Sequence, residues 1–227
     1  MAKYEVSVLM LTHKALRYTR KTLSSLRISK GVNYELVVVD NLSGILLRHM
    51  LLKWHTKNWC DKLCFMSYNS LFAEGNNIAA RLAEQDSPYY LLLNSDIEIR
   101  DPYWLRRLID SHERGISSYG LVRGRPITRA DGYCLLIDSD LYRRHLLDEE
   151  YQWWWSVTKL QANVLSEGHT VKGYENHESM LHHFGGKSGK SFKKAKGLQT
   201  EEERIIGWFN GLHVQAFDSI EEYEGQN

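Results

Sequence analysis

The sequence predicts an α/β fold: a single domain on an open, mostly parallel twisted sheet with helices on both faces. Three observations carry this. Apolar runs of strand length alternate with segments of helical periodicity as far as Asp96. The runs are apolar at nearly every position, as in strands covered on both faces. Each run closes on polar residues, the edge where open α/β sheets bind ligands. The chain has 227 residues, which one core accommodates on a scale of about 150 residues per domain.

Val6-Ser7-Val8-Leu9-Met10-Leu11 reads as the first strand, closed by Thr12-His13. Leu16, Leu23 and Leu26 then recur at helical spacing among Arg and Lys and stop near Gly31. Tyr34 to Asp40 is a second buried strand, ending in Asp40-Asn41. A helix from about Ile45 to His55, a short strand around Leu63 to Met66 and a helix from about Asn76 to Glu84 follow. Tyr89-Tyr90-Leu91-Leu92-Leu93 makes the fourth strand and closes on Asn94-Ser95-Asp96. Right-handed crossovers between parallel strands bring Thr12, Asp40 and Asp96 to one crevice.

Composition excludes several classes. Lys and Arg number 29 against 28 Asp and Glu, a formal charge of +1, so no global field attracts a polyanion. The hydrophobic share of 43% and charged share of 25% exclude wholesale disorder. No apolar run approaches the ~20 residues of a membrane span, and Met1-Ala2-Lys3-Tyr4-Glu5 leads into a strand without a leader-like core. A cytoplasmic protein with no integral membrane segment is the expectation. Cys60, Cys64 and Cys134 are too few for a disulfide framework and are expected to be free thiols. Neither glycine-rich phosphate loop occurs after the first strand. A nucleotide in the crevice would be held by carboxylates and a metal.

Asp96, with Asn94 two residues earlier at a strand end, is placed to hold a divalent ion and leave coordination places for diphosphate oxygens. The plainer reading is a carboxylate capping its turn, and Asp40 has the same two readings, an Asx turn or a bond to a nucleotide base. His182-His183-Phe184-Gly185-Gly186-Lys187-Ser188 adds an imidazole suited to Mn²⁺ or Mg²⁺, a Lys to neutralise phosphate and glycines that admit close backbone approach. In Trp153-Trp154-Trp155, neighbours on a helix point in different directions, so one ring facing an acceptor leaves another for the core. Lys187, Lys190, Lys193, Lys194 and Lys196 form a basic loop before Glu201-Glu202-Glu203-Arg204. It reads as a solvated charge run or as a flap over the donor.

In order, these segments resemble the family 2 glycosyltransferases of GT-A fold, in their rhamnosyltransferase-like branch, over about residues 5 to 190. The residues that carry the resemblance begin with Val8-Leu9-Met10-Leu11-Thr12-His13 and Val37-Val38-Val39-Asp40-Asn41 with Ser43. Asn69-Ser70-Leu71-Phe72-Ala73-Glu74-Gly75-Asn76-Asn77 follows, with Leu71 where Gly is usual. Leu92-Leu93-Asn94-Ser95-Asp96 stands at the Asp-x-Asp variant, followed by Asp101-Pro102, and His183-x-x-Gly186-x-Ser188 closes the set.

The resemblance implies a GT-A domain over residues 1–190, with a nucleotide-sugar half at about 1–100 and an acceptor half at about 101–190. Residues 191–227 add the basic loop and a C-terminal helix packing on the same domain. It implies a hexosyl-type transferase acting on a nucleotide-sugar, a UDP-sugar foremost, with Mn²⁺ or Mg²⁺ at Asp96 and His183. Thr12 and Asp40 would contact the nucleoside and Asn77 the ribose and diphosphate, with His13, Asn41, Asn94, Lys187 and Ser188 completing the donor site. The family's Glu-Asp pair, whose Asp is the general base, falls here on Ser156-Val157. Asp148, Glu149, Glu150 and Asp131 are candidates for a displaced base, Glu149 and Asp148 foremost. Inversion is expected, since the resemblance is to inverting enzymes and a single displacement needs only one base. A binding protein without activity is the alternative that the missing pair raises. A saccharide or polypeptide hydroxyl is the default acceptor. DNA is the minority reading, resting on the lysines, on Arg123 and Arg125 before Asp131-Gly132-Tyr133, and on Trp153.

Overall fold

A computed structural model describes residues 2–187 and 191–220. Its elements begin with β1 (Val6–Thr12), α1 (Leu16–Leu26), β2 (Tyr34–Asp40), α2 (Ile45–His55), β3 (Lys62–Phe65), α3 (Leu71–Leu82) and β4 (Tyr89–Asn94). There follow β5 (Ile97–Ile99), α4 (Trp104–Asp110), β6 (Gly115–Ser118), β7 (Leu121–Val122), β8 (Arg129–Ala130), β9 (Cys134–Asp138) and α5 (Ser139–His145). Then come α6 (Trp154–Ser166), β10 (Thr170–Asn176), β11 (Leu181–His183), α7 (Glu202–Phe209) and β12 (Gln215–Ser219).

The main sheet has eight strands in the order β12-β10-β6-β9-β4-β1-β2-β3. Only β9 runs against its neighbours, so the expected parallel sheet carries one reversed strand between two parallel blocks. Period-two alternation divides the core. Val8, Met10, Val38 and Leu93 pack on the face that receives Leu23, Leu51 and Trp104. Leu9, Val37, Val39 and Leu92 face Ala79, Leu141 and Leu160. Buried strands with helices on both sides explain the continuous apolar runs. Cys60, Cys64 and Cys134 are free thiols. Among the described residues no helix is long and apolar enough to cross a membrane.

Helix α3 starts at Leu71, ahead of the expected Asn76. The earlier turn forms because Phe72 and Ala73 donate their N–H groups to the carbonyl of Gln152, a cap from far along the chain. Leu71 turns into the helix at φ 57°, a left-handed conformation that glycine takes more readily.

Candidate functional site

Register brings the polar strand ends together. Thr12 pairs with Asp40 across β1 and β2, and Leu11 pairs with Asn94 across β1 and β4. Beyond this edge lies a cavity of about 400 Å³, a size typical of small-ligand sites. Thr12, His13, Asn41, Asn94, Asp96, Asp131 and His183 line it.

Asp96 and His183, far apart in sequence, meet through a short antiparallel pair. β5 and β11 align His183 with Ile97, the residue after Asp96. The Thr22 hydroxyl accepts from the Ile97 N–H at 3.0 Å and donates to its carbonyl at 2.7 Å, and Ser25 accepts from the Ile99 N–H. Helix α1 therefore fixes β5. His183 Nε2 comes within 3.3 Å of Asp96 Oδ1, yet Nε2 is buried without a hydrogen-bond partner among the described residues. A buried orphan nitrogen beside a carboxylate fits a cation bound by both. No group of three or more His, Cys, Asp or Glu able to hold an ion occurs among the described residues, so a ligand or water would complete its coordination. Consecutive Gly185 and Gly186 take φ 64° and 63°, and Gly186 lines the cavity.

Asp131 and Asp96 are the carboxylates among the described lining residues. A Cβ at Gly132 would stand 2.9 Å from Val157 Cγ2, so the missing Cβ lets the Asp131-Gly132 backbone close against α6. Of the Ser156-Val157 positions on which the family's acidic pair falls, Val157 lines the cavity with the following Thr158, and Ser156 is buried with its hydroxyl on the Trp153 carbonyl at 2.6 Å. Trp153 stacks on Phe192 with centroids 5.4 Å apart and planes at 19°, Phe72 meets its edge at 6.1 Å, and Trp154 lies 5.9 Å from Phe192. These four rings form an aromatic wall.

The other residues singled out from sequence are placed differently. Asp40 is fully buried, accepting from Thr12 Oγ1 at 3.0 Å, the Ser43 N–H at 3.1 Å and Arg48 Nε at 2.8 Å. Asn41 lines the cavity while its amide bonds Ser70 and Leu71. Asn77 lies outside the lining, its carbonyl oxygen accepting from Tyr142 and the Leu147 N–H, its amide donating to the Leu147 carbonyl and Glu149. Asp148 pairs with Lys159; burial opposes its ionisation, but Lys159 and the Glu150 N–H hold its carboxyl below the usual range. Glu149 accepts from Asn77 at 3.0 Å, and exposed Glu150 lies 3.4 Å from Lys196. None of these three lines the cavity. Lys187 Nζ sits over the Tyr18 ring at 5.5 Å. Ser188 and Lys190 lie outside the described residues.

Two further lining residues, Arg129 and Phe192, were not singled out from sequence, whereas His13 was. His13, which lines the cavity, donates Nδ1–H to the Asn41 carbonyl at 2.6 Å, leaving Nε2 buried and unpaired among the described residues. Arg129 lies over the Trp155 ring at 5.1 Å, and burial lowers its pKa. Phe192, an aromatic set among lysines, is the one whose context carried a faint signal.

Solved structures share the fold. S. aureus TarS 1-349 in complex with UDP is 20% identical, with TM-score 0.56 over 70% of this chain and 55% of that one. The mannosyltransferase PcManGT from Pyrobaculum calidifontis, in complex with GDP-Man and Mn²⁺, is 17% identical with TM-score 0.57, covering 69% and 52%. GalNAc-T7 with UDP, GalNAc and Mn²⁺ is 13% identical with TM-score 0.61, covering 73% and 41%. The chain thus spans about half the length of the solved structures it matches, or less. No curated protein matches it. Residues 7–128 match the family described as Glycosyl transferase family 2, more than half of the 227 residues. With that match and a GT-A sheet beneath the cavity, the chain belongs to glycosyl transferase family 2.

Proposed function

We propose that the protein transfers a sugar from a nucleotide-sugar, a UDP-sugar foremost, to a saccharide hydroxyl with inversion at the anomeric carbon, using Mn²⁺ or Mg²⁺. The observation that carries this reading is the convergence of Asp96, His183 and Asp131 on one cavity beside an aromatic wall. Asp96 and His183 would hold the ion, which when bound offsets negative charge developing on the leaving diphosphate. His13 Nε2 would accept a hydrogen bond from the donor.

Asp131 would take the proton of the acceptor hydroxyl as its oxygen bonds to the anomeric carbon. The bond to the diphosphate breaks, and its electron pair leaves on the nucleoside diphosphate. On this reading Asp131 replaces the acid missing at Ser156-Val157, from the loop that Gly132 packs against Val157. Trp154 and Phe192 offer faces for a sugar ring. Arg129 is the one Lys or Arg among the described lining residues, which favours a saccharide over DNA.

The Asn94-Ser95-Asp96 and His183-x-x-Gly186 segments support placement in the rhamnosyltransferase-like branch. We assign the donor half to about residues 1–100, the acceptor half to 101–190 and a closing segment to 191–227, with action in the cytoplasm. Binding without transfer is the second reading, favoured by the lost Glu-Asp pair. Donor turnover with Mn²⁺, assayed with saccharide, polypeptide and duplex-DNA acceptors and with the product anomer read by NMR, separates these readings. Failure to bind or turn over any nucleotide-sugar would reject both.

A further inference from the structure

Helix α2 turns Leu47, Leu51 and Trp54 into the core, while its other face carries apolar side chains into solvent. Ile45 is 88% exposed, Leu46 62%, Leu52 50% and the preceding Leu42 43%. Ile45, His49 and Leu52 follow at helical steps with Leu46 and Lys53 beside them, so they share one stripe. Isolated exposed apolar residues are ordinary, whereas a contiguous group marks contact with a partner or membrane. Charge is segregated on the same segment. From Asn41 to Cys60 there is no Asp or Glu, but Arg48, Lys53, Lys57, His49 and His55 occur. Arg48 pairs with Asp40, while Lys53 and Lys57 are exposed.

We propose that this face docks the protein on an anionic lipid surface. Ile45, Leu46 and Leu52 would enter the headgroup boundary while Lys53 and Lys57 meet lipid phosphates. A second copy fits less well, because a two-fold contact sets the same cations of both subunits together without a carboxylate from this segment. Leu42 follows Asn41, a cavity-lining residue, so the docked face begins one residue along the chain from the cavity wall. An acceptor carried on lipid would then meet the cavity at the bilayer surface. Docking itself does not depend on the transfer reaction.

The test is co-sedimentation of the full chain with vesicles of phosphatidylcholine alone and of an equal mixture with phosphatidylglycerol. Anionic vesicles should retain at least about tenfold more protein at low salt, with retention falling as salt rises. The pairs Ile45→Ser with Leu46→Ser, and Lys53→Glu with Lys57→Glu, should each lower retention about tenfold. Their melting temperatures and UDP affinity should match the parent, since these side chains are exposed and outside the site. Equal retention on both vesicles, no retention, or retention that survives both pairs would overturn the proposal. So would a concentration-dependent dimer that the same substitutions dissolve without any vesicle binding.

Discussion

The ring of Tyr133 stacks on the imidazole of His183, with centroids 4.2 Å apart and planes 26° apart. The Tyr133 hydroxyl is within 2.7 Å of the Tyr119 carbonyl and 2.6 Å of His177 Nε2, so the stack has a fixed backing. Support behind a metal ligand commonly contributes about 10–100-fold in affinity. Tyr133→Ala should weaken Mn²⁺ binding at least about tenfold, and Tyr133→Phe, which keeps the stack, should weaken it less. Titration of Mn²⁺ followed by calorimetry checks the order; equal affinity in all three proteins would deny Tyr133 a positioning role.

Asp131 faces the cavity, whereas Asp148, Glu149 and Glu150 bond to Lys159, Asn77 and Lys196. Asp131→Asn should lower turnover at saturating substrates about a hundredfold or more, the scale of general-base catalysis, and leave UDP affinity unchanged. Glu149→Gln and Glu150→Gln should keep most activity. The reverse pattern in steady-state kinetics would move the base out of the cavity.

Trp154 is 42% exposed and borders the cavity beside Phe192. Trp154→Ala should raise the acceptor KM several-fold, up to about tenfold for one lost stacking face, with kcat and donor KM little changed. A donor KM that shifts instead would place the nucleotide against this ring.

Burial alone would raise the carboxyl of Asp138, but hydrogen bonds from His112 and the Gly115 N–H, with the charge of Arg114, outweigh it and hold it below its ordinary 3.8. A carboxyl depressed on folding stabilises the protein above its unfolded value, and that contribution is lost as pH falls through the folded value. Asp138→Asn should therefore lower stability at neutral pH and flatten the decline below about pH 4. Urea unfolding across that range measures both, and parallel curves for the two proteins would contradict the assignment.

The strands were legible because burial on both faces leaves an unbroken apolar run, and β2 and α2 fall at the residues read from sequence. The strand-end site followed from the same runs. The start of α3 was not legible, since its first N–H groups are capped by Gln152, a contact that no local pattern encodes. The resemblance marked Asp40 and Asn77, yet which bonds fill their polar atoms depends on Arg48, Tyr142 and Leu147, which tertiary packing delivers. The meeting of His183 with Asp96 rests on a three-residue strand pair too short to read. Asp131 stood among several carboxylates in the sequence, and which of them line the cavity depends on the fold.

Calorimetric titration of UDP into the parent protein, Asp96→Ala and His183→Ala, with Mn²⁺ or with EDTA, bears most directly on a shared metal and diphosphate site. The parent should bind in Mn²⁺ and lose most affinity in EDTA, and each variant should lose at least about tenfold in Mn²⁺. The Asp96→Ala variant should keep its melting temperature, because its carboxylate stands at the cavity edge. UDP affinity that is the same in all three proteins, and indifferent to EDTA, would contradict a metal held by Asp96 and His183.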